Sequence, residues 1–316
     1  MNTQLRGLEV SDELRAAKVE GLPIVGLETS GITSGTYPHN LEIALAVDAS
    51  ARDEGAVPAR IAVIDGQLKI GLTGEELEQL ARREPGVKLS NRDLAVAIAQ
   101  GQTGGTTVSA SLLIAKKTGL AVFAVAGIGG VHRGAETSFD ISADLAQFAS
   151  TPLAVVCAGA KSLLDPALTI EYLETAGIPV IGYRSDYFPG YYTESTGVKV
   201  PHRLDDLADV VRAMHAHWSF VSRSAVLITH PIAAEWSINA AELDRLVDES
   251  LLAAASLGVS GAGLTPFVLS AISNATAGRS VKVNDEVLLS TTRLGAQLAC
   301  EVAQQRVEIA LAGSTL

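Results

Sequence analysis

The chain has 316 residues, 47% of them hydrophobic and 19% charged, which supplies a sizeable core and excludes a disordered chain. Its 24 Lys and Arg against 35 Asp and Glu give a formal charge of −11, so a nucleic-acid-binding role, which needs a basic face, is disfavoured. Aromatic residues make up only 4%, a balance that suits closely packed α/β layers better than a β-sandwich.

In chain order, residues 1–22 read as an N-terminal helical extension, and their charges (Arg6, Glu9, Asp12, Glu13, Arg15, Lys18, Glu20) break any secretory pattern. A short apolar run at 23–28 (PIVGLE) predicts a first buried strand, and a helix pattern covers 39–53. The run at 59–64 (ARIAVI) predicts a second strand, with Asp65-Gly66 turning it into an antiparallel hairpin. Helices are expected near 73–84, where Thr73 and Glu76 have capping-box spacing, and near 93–101 and 105–118. Strands at 120–126, 153–157, 178–182 and 224–228 alternate with helices near 166–176, 205–218, 238–257 (Ser237 as its start) and 285–304. The most apolar stretch, 120–131, is about a dozen residues long where a bilayer crossing needs roughly 20, so no membrane association is expected. The two cysteines, Cys157 and Cys300, make no CxxC pair, which points away from zinc and disulfides and towards a cytoplasmic location. With no linker or repeat, residues 1–316 are expected to form one α/β domain around a mixed sheet.

Several motifs carry possible chemistry. Gly127-Ile128-Gly129-Gly130 follows a strand, but its spacing is wrong for a dinucleotide fingerprint, leaving a backbone nest for an anion as one reading. Lys161 lies just beyond the strand ending at Cys157, where α/β sheets bind ligands. It reads either as a lysine snorkelling at a loop or as a Schiff-base amine, with Lys88 as a second cation and phosphate ligand. Glu28 ends the first strand and reads as a surface carboxylate or a general acid/base. Asp140 and Asp144, at i and i+4, would share one helix face, either decorating a helix start or holding a hard divalent ion. His215 and His217 are read as surface residues. Four of the six tyrosines (183, 187, 191, 192) crowd the loop 183–193, as core or as a wall that stacks on a planar ligand.

Taken in order, GLETS, VKLSNRDL, GGTTVSAS, AGIGGVHRGAETSFDISADL, VVCAGAKSLLD, EYLETAGIPVIGY, LTPF and SVKVND resemble the pseudouridine-5′-phosphate glycosidase family, from about residue 23 to 304. The resemblance implies a three-layer α/β/α homotrimer with a mixed, largely parallel sheet, a divalent cation (most simply Mn²⁺), and chemistry at the C–C bond between ribose 5-phosphate and a base. It implies an imine-forming role for Lys161, proton donation by Glu28, metal ligation by Asp140, and substrate binding by Lys88, Thr107, Val108, Ser142, Ala143, Asp144 and Asn284.

Family members usually carry histidines where this chain has Ser34 and Thr137. Losing two imidazoles near the catalytic groups suggests that ribose 5-phosphate is kept and the base pocket altered. The expectation is therefore a C-glycosynthase of the alnumycin type, joining C1 of ribose 5-phosphate to a planar aromatic aglycone through a lysine imine in natural-product biosynthesis. The alternative is a pseudouridine-5′-phosphate glycosidase releasing uracil and ribose 5-phosphate. A noncatalytic sugar-phosphate binder is disfavoured because Glu28, Lys161 and Asp140 are retained together, and an NAD oxidoreductase lacks its fingerprint.

Overall fold

A computed structural model of the chain describes residues 7–259 and 261–313. The strands, in chain order, are β1 (Glu9–Val10), β2 (Ile24–Leu27), β3 (Val57–Ile64), β4 (Gln67–Ile70), β5 (Lys88–Leu89), β6 (Gly104–Thr106) and β7 (Val122–Ala124). They continue with β8 (Val131–His132), β9 (Ala154–Cys157), β10 (Leu164–Asp165), β11 (Val180–Tyr183), β12 (His202–Leu204) and β13 (Val226–Thr229). The main sheet runs β1-β4-β3-β2-β7-β9-β13-β11-β12, with β6 and β5 branching from β3. From β3 across to β12 every pairing in that path is parallel, whereas β3 pairs antiparallel with β4 and with β6. Antiparallel β8 and β10 form a separate small ribbon.

Alternation along the parallel strands sorts their side chains into two faces. Val25, Leu27, Val122, Ala124, Val156 and Ile228 pack on one side against helices His39–Asp53, Leu207–Ala216 and Arg279–Gly313. Phe123, Val155 and Leu227 turn to the other, against Val108–Thr118, Ala143–Phe148 and Ala240–Ser256. Burial on both faces is why these strands read as unbroken apolar runs, and it yields three layers, helix, sheet and helix. Gly26 is required in β2, because a Cβ there would come within 2.9 Å of the Phe123 ring.

The hairpin lies where expected, with Asp65 (φ 49°) and Gly66 (φ 73°) both left-handed, as the twist of a two-residue turn demands. Thr73 and Glu76 close a capping box on Gly74–Arg82. Three expectations change. The N-terminal segment is more than a helical extension, since Glu9–Val10 pairs with β4 and helix Asp12–Glu20 buries Leu14 and Ala17. Asn239, rather than Ser237, caps Ala240–Ser256, and Leu264–Ala275 forms a further helix beyond those expected. His217 is buried against Ser224 (Nε2 to Oγ 2.8 Å), so only half of the HxH pair comes near the surface. Among the described residues no helix is long and apolar enough to cross a membrane.

Candidate active site

The carboxyl ends of β2, β7 and β9 lie side by side, and the loops leaving them carry the charged side chains. Glu28 follows β2 directly. Buried Thr29 fixes that exit by donating to the Ile61 carbonyl (2.6 Å) and accepting from the Thr106 amide (3.0 Å). The Ser30 hydroxyl and amide both donate to Glu28 Oε2, the amide at 3.2 Å. This orients the carboxylate before any ligand arrives. Lys161 follows β9 by four residues and is held by its own amide, which donates to the Ile128 carbonyl (3.1 Å).

Lys88 comes from a different direction, on β5, paired through Gly105 with β6. Its pKa is pushed below the usual lysine value, first by desolvation and then by the Lys161 charge, with Glu28 and Asp144 opposing. Lys88 as a residue is exposed, so this crowding acts on the ammonium at the cleft mouth and water limits its strength. Four expected site residues thus share one field. His132 joins them: desolvation lowers its pKa, Asp140 resists and Lys161 assists, and its Nδ1 lies 3.9 Å from Asp140 Oδ2.

The acidic pair does not share a helix face. Ile141 bridges to Val131 and Phe139 is left-handed (φ 54°), so the chain at Asp140 is still an irregular loop and the helix begins only at Ala143. Asp144 is buried and already satisfied, its Oδ1 accepting the Ser109 amide (2.9 Å) and its Oδ2 the Gly129 amide (2.8 Å). That also corrects the anion-nest reading of the glycine turn, because the anion bound there is the protein's own carboxylate. Each Asp144 oxygen is already turned to a buried amide, so the two carboxylates do not form an open pair for one shared ion.

Asp140 differs, being half-buried with no hydrogen-bond donor on its carboxylate among the described residues. No group of three or more His, Cys, Asp or Glu suited to a metal occurs among the described residues. The donor set therefore fits a hard divalent ion that keeps most of its waters and takes Asp140 as its protein anchor, and does not fit a closed protein cage.

Thr107 caps helix Val108–Thr118, its hydroxyl also contacting Ser109 (3.0 Å), which in turn meets Ser90 (3.1 Å). The Val108 side chain is buried, leaving its backbone amide, which has no partner among the described residues, as the group that could meet a ligand. Ser142 caps the next helix and accepts the Asp144 amide (3.2 Å), with Ala143 behind it. Asn284, on the long Arg279–Gly313 helix, accepts from the Tyr191 hydroxyl.

The tyrosine loop is mostly core. Phe188, Tyr183, Tyr191 and Tyr192 are buried and only Tyr187 is substantially exposed, so no aromatic wall faces solvent. Ser34 and Thr137 are exposed, and their hydroxyls bond back to the Ser30 and Gly134 carbonyls. A cavity of about 590 Å³ adjoins the charged cluster, with Lys161 in its wall beside Ser162, Asp165, Thr193 and Arg133. Arg133 is tied to Asp244 (2.9 Å) and Asp248 (2.8 Å) on helix Ala240–Ser256. Sequence reasoning missed the buried roles of Thr29, Ser30 and Tyr191, for which no spacing signal exists.

A family model for indigoidine synthase A like proteins matches residues 13–301. The pseudouridine-5′-phosphate glycosidase of Dickeya dadantii is 47% identical over 294 residues, covering 93% of each chain. That of Caldanaerobacter subterraneus is 43% identical over 298 residues, 94% of this chain and 97% of its own. Among solved structures, the prealnumycin C-glycosynthase AlnA in complex with ribulose 5-phosphate matches with a TM-score of 0.89 at 39% identity, over 96% of this chain and 99% of that one. An indigoidine synthase A-like protein from Thermotoga maritima matches with a TM-score of 0.86 at 29% identity, again over 96% and 99%.

Proposed function

The chain belongs to the indigoidine synthase A-like family, and from that membership we propose that it is a pseudouridine-5′-phosphate glycosidase, breaking the C–C bond between ribose 5-phosphate and uracil. The observation that carries this reading is the meeting of an amine (Lys161), an oriented carboxyl group (Glu28) and a second cation (Lys88) in one cleft. A C-glycosidic bond has no leaving oxygen to protonate, so a pair of carboxylates alone would not suffice.

In the cleavage direction, Lys161 Nζ adds to C1′ as the ring oxygen leaves with a proton from Glu28. The secondary ammonium so formed returns a proton to Glu28, which passes it to uracil C5; the nitrogen lone pair then forms C1′=N as the C1′–C5 bond breaks with its electrons going to the uracil ring, and uracil departs, leaving an iminium on Lys161. Water adds to C1′ and releases the amine and the open-chain sugar phosphate. Lys88 and the free amide of Val108, at a helix start, hold the phosphate and supply binding energy remote from the reacting carbon. Asp140 would hold a hydrated divalent cation, most simply Mn²⁺, which when bound adds positive charge for a sugar or phosphate oxygen.

The C-glycosynthase reading remains as the second one, favoured by the match to AlnA. It loses force from two features: the residues replacing the imidazoles face solvent, and the tyrosines expected to stack an aglycone lie in the core. Uracil release from pseudouridine 5′-phosphate tests the choice. Turnover typical of a committed enzyme supports the glycosidase. Its absence, with ribosylation of an aromatic acceptor instead, overturns it. Borohydride reduction with ribose 5-phosphate should add a sugar-phosphate mass to the peptide containing Lys161 and none in Lys161→Met.

A further inference from the structure

Tyr191 takes no part in the chemistry above, yet the fold accepts strain to hold it. Its φ is +67°, a left-handed conformation that side chains other than glycine rarely adopt. Its ring is 4% exposed and rests on Gly127, where a Cβ would come within 2.4 Å of a ring atom. That contact accounts for the first glycine of the turn. Its amide donates to the Ala158 carbonyl (2.9 Å), and the Ser162 hydroxyl to that of Gly190 (3.0 Å), which ties the tyrosine to the segment that bears Lys161. The Tyr192 ring lies 4.5 Å away, tilted by 49°.

Filling space against Gly127 would need only a phenyl ring. The hydroxyl does something further: it donates to Asn284 Oδ1, so the amide turns its Nδ2 end away, where one N–H leans towards the neighbouring Asp285 carboxylate and the other is left to donate. The phenol is also close enough to Glu28 to feel its charge. Burial raises its pKa well above 10, so it stays a donor wherever the protein is folded. An asparagine whose oxygen is taken can present only N–H groups to a ligand, and an amide free to rotate could present either end.

We propose that Tyr191 is a positioning residue that locks Asn284 as a hydrogen-bond donor, so that the cleft selects a substrate offering an acceptor oxygen at that point. The inference rests on the ribose-5-phosphate reading of the cleft. A role in packing alone predicts lost stability on removing the hydroxyl, with no change in substrate recognition.

A double-mutant cycle separates the two. Tyr191→Phe keeps the ring on Gly127 and removes only the hydroxyl. It should raise KM for pseudouridine 5′-phosphate about five- to tenfold, with kcat within about twofold of the parent, the worth of one neutral hydrogen bond. Asn284→Ala should lose at least as much, and the double variant should match Asn284→Ala, because Tyr191 acts only through that amide. Independent, multiplying losses overturn the proposal, as does a Tyr191→Phe variant whose KM stays within twofold. If the parent traps ribose 5-phosphate on Lys161 but does not turn over pseudouridine 5′-phosphate, the same cycle is read from the half-saturating ribose 5-phosphate concentration in the trapping reaction. A parent that traps nothing overturns the lysine reading and this inference with it, an outcome distinct from trapping without coupling.

Discussion

Replacing Asp144 with asparagine is a near-isosteric change that separates scaffold from chemistry. In the native chain both carboxylate oxygens are occupied, one by the Ser109 amide at 2.9 Å and one by the Gly129 amide at 2.8 Å, and the residue is only 6% exposed. Asparagine keeps one acceptor, which weakens from a charged to a neutral partner, a loss of about 1 kcal/mol. The other oxygen becomes an NH₂ facing an N–H, orphaning a buried donor at a cost of about 2 kcal/mol. The expected destabilisation is therefore about 3 kcal/mol, which in a chain of this size lowers Tm by about 4–5 °C.

Catalysis should respond separately. The Asp144 charge props up the Lys88 pKa against desolvation and Lys161, so without it Lys88 gives up its proton at lower pH. KM for a phosphorylated substrate should then begin its alkaline rise earlier than in the parent. Calorimetry and a KM–pH profile measure the two effects. An unchanged Tm would show that those amides find other partners, and an unshifted alkaline limb would show that Lys88 does not hold the phosphate.

Lys88→Gln should raise KM for pseudouridine 5′-phosphate about 10- to 100-fold, the loss of one charge-assisted contact, while leaving KM for an unphosphorylated nucleoside nearly unchanged. Gly159→Ala should destabilise by about 3–5 kcal/mol, because φ is +83° and the added Cβ would sit 1.9 Å from the Pro189 carbonyl oxygen; a Tm within 2 °C of the parent would contradict that geometry. Asp140→Asn should abolish Mn²⁺ uptake in equilibrium dialysis and Asp144→Asn should not, since Asp144 is already occupied. Desolvation lowers the pKa values of His217 and His230, so the unfolded chain binds more protons just below its own histidine pKa of about 6.5. Stability should therefore fall as pH drops through 6.5, and less steeply in His217→Asn, as thermal melts between pH 7.5 and 5 would record.

The strand framework was legible because burial on both faces leaves a plain trace, a short Val- and Ile-rich run between turn residues. The predicted run at 153–157 became Ala154–Cys157 and that at 178–182 became Val180–Tyr183, with boundaries moved only where end residues leave the ladder. Asp65-Gly66 was equally readable, since few residues tolerate two left-handed positions in a row. The N-terminal strand was not. Two residues carry no periodicity, and Glu9–Val10 exists only because β4 offers an open edge.

The site was legible as residue types and opaque as contacts. The i, i+4 spacing of Asp140 and Asp144 has a meaning only if a helix spans both, and a left-handed Phe139 with a bridge at Ile141 prevents it. The two carboxylates then part company, one turned inward to two amides and the other, among the described residues, left without a donor beside His132. The tyrosine cluster failed for the converse reason. Aromatic density in a loop does not say which rings the loop folds under, and here the side chain that reaches the cleft is a buried one whose hydroxyl points at an asparagine 93 residues further along. A long-range hydrogen bond of that kind leaves no local pattern. Glu28, Lys161 and Asn284 could be picked out by resemblance, whereas the part played by Tyr191 follows only from the distance between a phenol and an amide that the sheet brings together.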